Sequence, residues 1–387
     1  MGDSSMDKAI KQNRTGTITI KTRPNVSVKV KQLKHEFWFG TCIARRTLLG
    51  TEHAEDMEKY RQIIKENFNS SVHENALKWP STEPEKDKIS YKEADDILDW
   101  CEENDIKMRG HCIFWEKQEC VQDWLKELDN EELKKRIKKR ARDVLTRYKG
   151  RISEYDVNNE MLHGDFYVKR FGSSIHVDMF NWCKEIDPNA KLYVNDYQIL
   201  DGEYFPKYVK HIEELLNAGA PVSGIGIQGH LLGGKVVDVT RIKEILDSLA
   251  QFNLPIKITE FDIKTLDETI KAEALQNLYT VCFAHPSVEG ILMWGFWQNS
   301  HWFAANKVYG IKGYTALWKK DWTPTPSADA YRDLIFNKWW TNWEGKADAK
   351  GVCNLNAFYG KHLIEVGGKQ QTIELKKEEG NKTITFG

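Results

Sequence analysis

The chain has 387 residues, of which 29% are charged, and its acidic and basic side chains nearly cancel to a formal net charge of −1. This balance gives no electrostatic reason to expect binding to nucleic acid or to an anionic membrane surface, so we expect an uncharged partner. The length fits one large domain with a small second one.

Both ends of the chain alternate apolar and polar residues, as β-strands do. Near the N-terminus, apolar residues at 18 and 20 and then at 26, 28 and 30 predict two strands. Four more are predicted over 352–358, 363–366, 372–375 and 383–386. Two strands alone are marginally stable in water. We therefore predict that residues 1–35 and 341–387 meet in a small all-β sandwich.

Between these ends, short apolar strands alternate with longer helical segments. Eight strands are predicted, over 39–43, 70–74, 107–114, 153–160, 191–197, 224–230, 255–261 and 290–296. Strict alternation of strands and helices indicates a parallel sheet, and eight strands can close such a sheet into a barrel. We predict an α/β fold in which residues 36–340 form a (β/α)8 TIM barrel beside the accessory sandwich.

One predicted helix, over 131–148, shows a clear apolar stripe. Its apolar face consists of Leu133, Ile137, Ala141, Val144, Leu145 and Tyr148. Asn130 is the predicted N-cap. The basic residues at 134–136 and 138–140 are predicted to form a solvated outer face and not an anion site.

Polar side chains follow seven of the eight predicted strands, at the barrel end where active sites lie. Stability does not explain such a ring, because buried polar groups cost free energy unless they are hydrogen-bonded. The strand over 153–160 ends in Asn159-Glu160, and the strand over 255–261 carries Glu260. An acid and a carboxylate at the same end of a barrel are the pair that hydrolysis of a glycosidic bond needs.

Several separate motifs stand at these strand ends in a fixed order. They are Glu74-Asn75-Ala76-Leu77-Lys78-Trp79, Arg109-Gly110-His111 with Trp115 and Gln118, Asp156-Val157-Asn158-Asn159-Glu160, Gln228-Gly229-His230, Ile258-Thr259-Glu260-Phe261-Asp262 and Trp294-Gly295. Together, over roughly residues 36–338, they resemble glycoside hydrolase family 10, the retaining endo-β-1,4-xylanases.

The resemblance implies that Glu160 is the general acid/base and Glu260 the nucleophile, in a mechanism that holds two carboxyl groups about 5–5.5 Å apart. It implies that Asn159 binds the sugar 2-hydroxyl, and that His230 and Asp262 orient Glu260 and keep it ionised. The other implied substrate-binding residues are Glu74, Asn75, Lys78, His111, Trp115, Gln118, Tyr197, Gln228, Trp294 and Trp302. The implied partner is xylan or xylo-oligosaccharides, and we expect a monomer.

The chain departs from the family pattern at three places. Glu116-Lys117 follow Trp115 where a His is common, Ala44 stands after the first strand where an Asn is usual, and residues 296–302 lack the usual acidic residue. The first and third departures resemble the branch of the family that includes plant xylanases. All three leave both glutamates in place.

Three alternatives remain open from the sequence. A metal-dependent barrel hydrolase could use His111, His230, Glu260 and Asp262 as ligands. A β-1,4-glucanase would differ by accepting one hydroxymethyl group per sugar, and a catalytically silent protein would only bind carbohydrate. Asn195, Tyr197 and Trp297 are equally compatible with core and site.

The seven cysteines are scattered without CxxC spacing, so we expect buried thiols and neither a disulfide framework nor a zinc site. We expect no metal or other cofactor. No apolar run is long enough to span a bilayer, and the first residues lack a signal-peptide pattern. We expect a secreted protein whose signal peptide is absent from this sequence.

Overall fold

A computed structural model of the protein describes residues 5–232, 238–302 and 315–387. The strands in chain order are β1 Thr15–Lys21, β2 Ser27–His35, β3 Trp38–Ile43, β4 Ser70–His73, β5 Lys107–Arg109, β6 Phe114–Trp115, β7 Glu154–Asn159, β8 Lys191–Asp196, β9 Gly224–Ile227, β10 His230–Leu232, β11 Ile256–Lys264, β12 Val288–Met293, β13 Asn342–Lys346, β14 Val352–Phe358, β15 Gly360–Val366, β16 Lys369–Leu375 and β17 Asn381–Thr385.

The α-helices are α1 Ser5–Arg14, α2 Arg45–Leu48, α3 Met57–Asn67, α4 Trp79–Thr82, α5 Lys92–Glu103, α6 Asp123–Lys126, α7 Asn130–Tyr148, α8 Phe166–Phe171, α9 Ser174–Ile186, α10 Phe205–Asn217, α11 Val239–Ala250, α12 Glu268–Ala284 and α13 Pro326–Arg332. Short 3-10 turns cover Ala54–Asp56, Gln118–Cys120 and Gln298–Ser300, and a π-helical turn covers Asp333–Lys338.

Strands β3 to β12 form one curled parallel sheet. Its hydrogen-bonded order is β5-β4-β3-β12-β11-β9-β8-β7-β6, with β10 beside β11. β5 and β6 are two pieces of one strand, and the parallel bridge between Gly110 and Tyr155 joins that strand to β7. The sheet therefore closes into an eight-stranded barrel with helices between its strands, which confirms the predicted fold class.

The prediction of one continuous strand over 107–114 is wrong, because this strand contains a bulge. Gly110 pairs with Tyr155 and Phe114 pairs with Asn158, so this strand has one residue more than β7 over the same stretch. A Cβ at Gly110 would lie 2.2 Å from the Tyr155 ring, so the close approach requires glycine. The bulge contains His111, whose ring turns to Asp156 on β7.

The sixth strand is also shorter than predicted. β9 ends at Ile227, and Gly229 takes a positive φ of 81°, which interrupts the strand. His230 then starts β10, which pairs only with β11 and sets His230 opposite Asp262. This crossing brings the histidine to the seventh strand, where the nucleophile candidate lies.

Both chain ends meet in two small sheets, as predicted. One sheet has the order β14-β1-β17 and the other the order β13-β2-β15-β16. Their shared core consists of Ile18, Ile20, Val28, Val30, Cys353, Leu355, Ala357, Ile364, Val366, Ile373, Leu375, Ile384 and Phe386. Neither α1 nor β13 was predicted. The domain boundaries at 35/36 and 340/341 stay a prediction.

Helix α1 attaches the N-terminal segment to the barrel end opposite the site. The buried guanidinium of Arg14 donates to the carbonyls of Phe283, His285 and Val288 at 2.6, 2.5 and 2.7 Å. Val288 begins β12, so these bonds lie at the amino end of the barrel strands. The accessory segment therefore supports the barrel without entering the mouth.

Two expectations for α7 are corrected. The N-cap is Asp129 and not Asn130, because the Asp129 carboxylate accepts from the Glu132 N–H at 2.8 Å. The predicted apolar stripe is buried, but Arg140 of the basic run is buried as well. It donates to the Leu77 carbonyl at 2.5 Å and to Thr82 at 2.9 Å, while the lysines of the run are exposed.

All seven cysteines are free thiols, and all except the half-buried Cys120 are buried. Within the described parts of the chain, no helix is long and apolar enough to cross a bilayer.

Candidate active site

Glu160 and Glu260 lie at the carboxyl end of the barrel strands, as predicted. Glu160 follows the last residue of β7, and Glu260 lies within β11. Glu160 adopts a positive φ of 59°, a conformation that costs on the order of 1–3 kcal/mol for a residue with a Cβ. Its N–H donates to the Asn195 carbonyl at 3.0 Å, and its own carbonyl accepts from Gly164 at 3.0 Å. These bonds hold the strained residue at the strand tip.

The Glu160 carboxyl group is buried and held by two neutral donors. Trp115 Nε1 donates to Oε2 at 2.8 Å, and Gln228 Nε2 donates to Oε1 at 2.9 Å. Burial raises the pKa of this carboxyl group, and the charges of Glu260 and Asp196 raise it further, against the lowering effect of the two hydrogen bonds. Glu160 is therefore suited to carry a proton.

The Glu260 carboxylate has the opposite environment. Asn195 Nδ2 donates to Oε1 at 2.9 Å, and His230 Nε2 lies 3.2 Å from Oε2. Burial on its own would raise the pKa, but electrostatic interactions with His111, His230 and Lys78, together with the hydrogen bond to His230, more than offset it and lower the pKa of Glu260 to about 2. The lowered pKa favours the ionised form of this group, which is the form that a nucleophile needs.

Three amide side chains connect the two acids. Gln228 Nε2, which donates to Glu160, also lies 3.4 Å from Asn159 Oδ1. That oxygen accepts from Asn195 Nδ2 at 2.9 Å, and the same nitrogen donates to Glu260. Asn195, left open between core and site, thus belongs to the site. The chain of amides fixes both carboxyl groups on one network.

His230 lies between two carboxylates. Its Nδ1 is 2.9 Å from Asp262 Oδ1, and its Nε2 faces Glu260. Burial would lower the pKa of this ring, but Asp262 and Glu260 together raise it to about 10. Trp302 Nε1 donates to the other Asp262 oxygen at 2.7 Å. The structure therefore joins His230, Asp262 and Trp302 in one arrangement that holds a cation against Glu260.

His111 has its own carboxylate, which sequence analysis placed in a motif but gave no role. Its Nδ1 lies 2.9 Å from Asp156 Oδ2 and 4.0 Å from Glu260 Oε1. The other Asp156 oxygen accepts from Arg109, which also donates to Glu154 at 2.6 Å. Buried charges persist only when paired, so this ion-pair chain fixes Asp156 and, through it, the His111 ring.

The half-buried residues Glu74, Asn75 and Lys78 line one side of the pair, after β4. Lys78 Nζ donates to Asn75 Oδ1 at 3.0 Å and lies 4.5 Å above the Trp115 ring and 5.7 Å from the Trp294 ring. Burial raises the pKa of Glu74, against the charges of Lys78 and Arg45. An ammonium group between two indoles can donate its N–H groups to the hydroxyl oxygens of a ligand that lies against the flat apolar rings.

The predicted residue Gln118 is exposed in the 3-10 turn that follows Trp115. It lies three residues after Trp115 in the sequence, and the segment that contains it leads to α6.

The opposite side of the pair follows β8. The ring of Tyr197 stacks on that of His163, with centroids 3.6 Å apart and planes at 16°. His163 Nδ1 lies 2.6 Å from Asp196 Oδ1, and its Nε2 lies 3.0 Å from Gln198 Oε1. His163 and Asp196 were not predicted. Their positions in the sequence could have indicated them. His163 lies three residues after Glu160 and Asp196 directly precedes Tyr197, which places both residues at the same barrel end.

Trp297, the third residue left open, belongs to the core. Its side chain is fully buried and stacks on Trp322, with centroids 4.3 Å apart and planes at 4°. Trp294 packs with Trp38, Cys42, Val72 and Leu292, with Trp302 against this group. Of these side chains, Trp302 contacts a carboxylate, because its Nε1 donates to Asp262.

The departure at Glu116 has a structural explanation. Its side chain is fully buried, accepts from the N–H groups of Tyr167 and Val168 at 2.9 and 3.1 Å, and contacts His176 Nε2 at 3.0 Å. A carboxylate at the first turn of a helix satisfies donors that lack a partner within the helix. Glu116 therefore anchors α8 beside the site and does not face the cleft.

These contacts support acid/base and nucleophilic chemistry better than metal chemistry. Both ring nitrogens of His230 already face carboxylate oxygens within hydrogen-bond distance. In the described part of the chain, the one group of ligand atoms that converge within 4.8 Å comes from His53, Glu55 and Asp56, and it contains no predicted site residue.

Comparison with known proteins agrees with this chemistry. The model of glycosyl hydrolase family 10 matches residues 29–334. Endo-1,4-beta-xylanase 1 of Arabidopsis thaliana is 38% identical over 377 residues, which cover 93% of this chain and 37% of that protein. Anti-sigma-I factor RsgI6 of Acetivibrio thermocellus is 38% identical over 367 residues, which cover 94% of this chain and 46% of that protein.

Among solved structures, xylanase 10B of Thermotoga petrophila in complex with xylobiose is similar with a TM-score of 0.71 and 27% identity, covering 78% of this chain and 95% of that one. The chain spans about a third to a half of the length of the curated relatives named above.

Proposed function

Because this chain belongs to glycosyl hydrolase family 10, we propose that it is an endo-1,4-β-xylanase that cleaves internal bonds of xylan with retention of configuration. The observation that carries the proposal is the pair Glu160 and Glu260. Both are buried and joined through amides, yet their pKa values move in opposite directions. Two carboxyl groups with separated pKa values are the arrangement that assigns one acid and one nucleophile.

In the first half of the reaction, the Glu260 carboxylate attacks the anomeric carbon while Glu160 gives its proton to the departing glycosidic oxygen. A covalent glycosyl ester forms on Glu260, and the leaving sugar departs with the proton. Esterification removes the negative charge of Glu260, which is one of the causes that raise the pKa of Glu160.

In the second half, the ionised Glu160 takes a proton from water, and the oxygen of that water attacks the anomeric carbon. The ester bond breaks and Glu260 returns as a carboxylate. Two inversions at one carbon give net retention. Asn159 would hydrogen-bond the sugar 2-hydroxyl, and the Lys78 ammonium with Trp115 and Trp294 would hold the sugar on the glycone side.

Xylan is the proposed substrate because the relatives compared above include a xylanase and a xylanase bound to xylobiose. A β-1,4-glucan is the alternative, since it differs by one hydroxymethyl group per sugar. We also propose that the protein acts outside cells, because a polysaccharide does not cross a membrane. A monomer is the oligomeric state that we propose. Size-exclusion chromatography with light scattering tests the monomer.

The second candidate is a protein that binds carbohydrate without cleaving it, since one relative at 38% identity is not named as a xylanase. The intact pair of acids favours the enzyme, because binding alone gives no reason to raise the pKa of one buried carboxyl group and to lower that of the other.

Product analysis tests the proposal directly. The protein is incubated with unsubstituted xylan, substituted xylan and a mixed-linkage glucan, and the anomeric configuration of the first product is followed by NMR. We expect a ladder of xylo-oligosaccharides that appear first as β-anomers. Initial α-anomers would refute retention, and release of glucan fragments alone would refute the substrate.

Glu260→Ala separates the enzyme from the binding protein. Turnover of xylan should fall by at least roughly 10³-fold, since the nucleophile is gone. The affinity for xylohexaose, measured by calorimetry, should stay within about threefold. Glu244→Ala, at an exposed residue paired with Arg241, is the matched control. Unaltered turnover in the Glu260 variant would refute the enzyme.

A further inference from the structure

Lys117 stands where the protein departs from its family, and its side chain points back to the acid/base. Its ammonium nitrogen lies 3.9 Å from Glu160 Oε2 and 3.1 Å from Glu119 Oε1, and the side chain is 22% exposed. It also lies 5.7 Å from the centre of the Tyr197 ring. Lys117 thus bridges the acid/base and the aromatic wall after β8.

The position of this lysine depends on its neighbours in the sequence. Glu116 is fixed in the interior by α8, and Trp115 is fixed by its bond to Glu160. Lys117 directly follows these two fixed residues, and its ammonium group lies between Glu160 and the Tyr197 ring. The Tyr197 ring beneath the ammonium is itself held by its stack on His163.

The groups that face Glu160 come from several elements. Glu260 on β11 and Asp196 on β8 are negative, and the ammonium group of Lys117 lies within ion-pair distance of Glu160, at 3.9 Å. The Cys120 thiol is also close. Burial and the charge of Glu160 raise its pKa to about 12, so it stays neutral at working pH.

The two negative groups and Lys117 act in opposite directions on the proton of Glu160. A cation about 4 Å from a carboxyl group favours its ionised form, whereas Glu260 favours the protonated form. Formation of the glycosyl ester cancels the charge of Glu260 and leaves the charge of Lys117 in place. The balance therefore shifts to the ionised form at the step that needs a base.

We propose that Lys117 is a positioning residue for the acid/base, whose ammonium group favours the ionised form of Glu160 and so supports the step in which water attacks the glycosyl ester. The role rests on the proposed retaining mechanism. In that step the proton of water passes to Glu160, the water oxygen bonds to the anomeric carbon, and the ester bond to Glu260 breaks.

Two substrates isolate the two states of Glu160. With 2,4-dinitrophenyl β-xylobioside the leaving group needs no proton, so hydrolysis of the glycosyl ester limits kcat. The acid limb of the pH profile of kcat then reports the pKa of Glu160 as the base. With xylohexaose the leaving sugar needs the proton, so the basic limb of the pH profile of kcat/KM reports the pKa of Glu160 as the proton donor.

In Lys117→Met, both limbs should move to higher pH by about one pH unit, because the cation that favours ionisation is gone. At a pH near the wild-type acid limb, kcat on the dinitrophenyl substrate should fall by roughly fivefold to tenfold. Lys117→Arg should restore both limbs. Lys117→Gln repeats the test with a polar neutral side chain, and thermal unfolding checks each fold.

Two control variants separate contact from general charge effects. Lys126→Met removes a positive charge that pairs with Asp123 at 2.9 Å and should leave both limbs unmoved. Glu119→Gln removes the other partner of Lys117 and should not move either limb upward.

The outcomes are distinct. If the wild type hydrolyses both substrates but neither pH limb moves in Lys117→Met and Lys117→Gln, the role of Lys117 is overturned and the proposed function is not. Equal shifts in the Met and Arg variants overturn it as well, since shape and not charge would then be responsible. A wild type that hydrolyses neither substrate overturns the proposed function itself.

Discussion

The indole nitrogen of Trp115 lies 2.8 Å from Oε2 of Glu160. The same ring lies 4.5 Å from the Lys78 ammonium, so one side chain both lines the cleft and orients the proton donor. Binding of a sugar against the ring and transfer of the proton are therefore connected through one rigid group.

Glu160→Ala should affect two substrates differently. On xylan, kcat/KM should fall by roughly 10²–10⁴-fold, since proton donation to the leaving oxygen is lost. On 2,4-dinitrophenyl β-xylobioside the ester still forms, so KM should fall together with kcat as the intermediate accumulates, and azide should restore turnover. Initial rates with and without azide measure this. Equal losses on both substrates, or no effect of azide, would contradict the role.

Glu160→Gln should gain stability relative to the wild type as the pH rises. Burial raises the pKa of Glu160 above its unfolded value of 4.5. For such a group, the stabilising preference of the fold for the protonated form is fully present below pH 4.5 and is lost as the pH rises through the folded-state pKa. Glutamine does not titrate, so it avoids that loss.

The difference in unfolding free energy between variant and wild type should therefore change in favour of the variant between pH 4 and pH 7. Denaturant titrations at the two pH values measure it, and any constant cost of the amide cancels in the comparison. Glu131→Gln, at an exposed residue paired with Lys135, is the control. A difference that does not depend on pH would show that Glu160 is not held protonated.

The barrel and both glutamates could be predicted because each follows from local pattern. Eight apolar strands alternate with helices, and both acids stand at strand ends. The strand breaks could not be predicted in the same way. The bulge before Phe114 depends on the contact of Gly110 with Tyr155, which lies in another strand. Helix α1 buries only Ile10 and Arg14 and so shows no apolar stripe.

The roles of Glu116 and Lys117 were equally hidden from the sequence. Glu116 is explained by His176 and by the first turn of α8, about fifty to sixty residues away. The role of Lys117 depends on its contacts with Glu160 and Tyr197, which follow the ends of β7 and β8. A motif shows that a position departs from its family, but only the contacts show whether the new side chain faces core or cleft.

His230→Asn should narrow the pH range of activity from the acid side. In the wild type the cationic ring contributes to a pKa of about 2 for Glu260. Loss of that charge leaves burial to raise the pKa, so the acid limb of kcat/KM should move to higher pH. Rates on an aryl xylobioside between pH 3 and pH 7 measure the shift.

His285→Asn is the matched control for that experiment. His285 pairs with Asp247 at 3.2 Å and follows α12, at the amino end of the barrel strands. It should leave the acid limb in place. An acid limb that stays put in His230→Asn would contradict the role of this ring in ionising Glu260.

Asn159→Ala should lower kcat/KM by roughly 10²–10³-fold, the usual cost of removing one donor from a developing charge. Asn159 Oδ1 accepts from Asn195 and Gln228, so we expect its amide nitrogen to serve the sugar 2-hydroxyl. The change also leaves two buried donors with one acceptor fewer, which lowers stability by about 1–3 kcal/mol. Activity alone would therefore not separate the two effects.

A substrate that lacks the hydroxyl separates them. On a 2-deoxy aryl xylobioside, the kcat/KM of the wild type should fall to near that of Asn159→Ala, because the contact with the 2-hydroxyl is absent. The kcat/KM of Asn159→Ala should change little between the two substrates, because this variant lacks the contact in both cases. The coupling between the two changes is the energy of that contact. Asn217→Ala, at an exposed position at the end of α10, controls for the substitution. If the variant loses the same factor on both substrates, Asn159 acts on the protein network and not on the 2-hydroxyl.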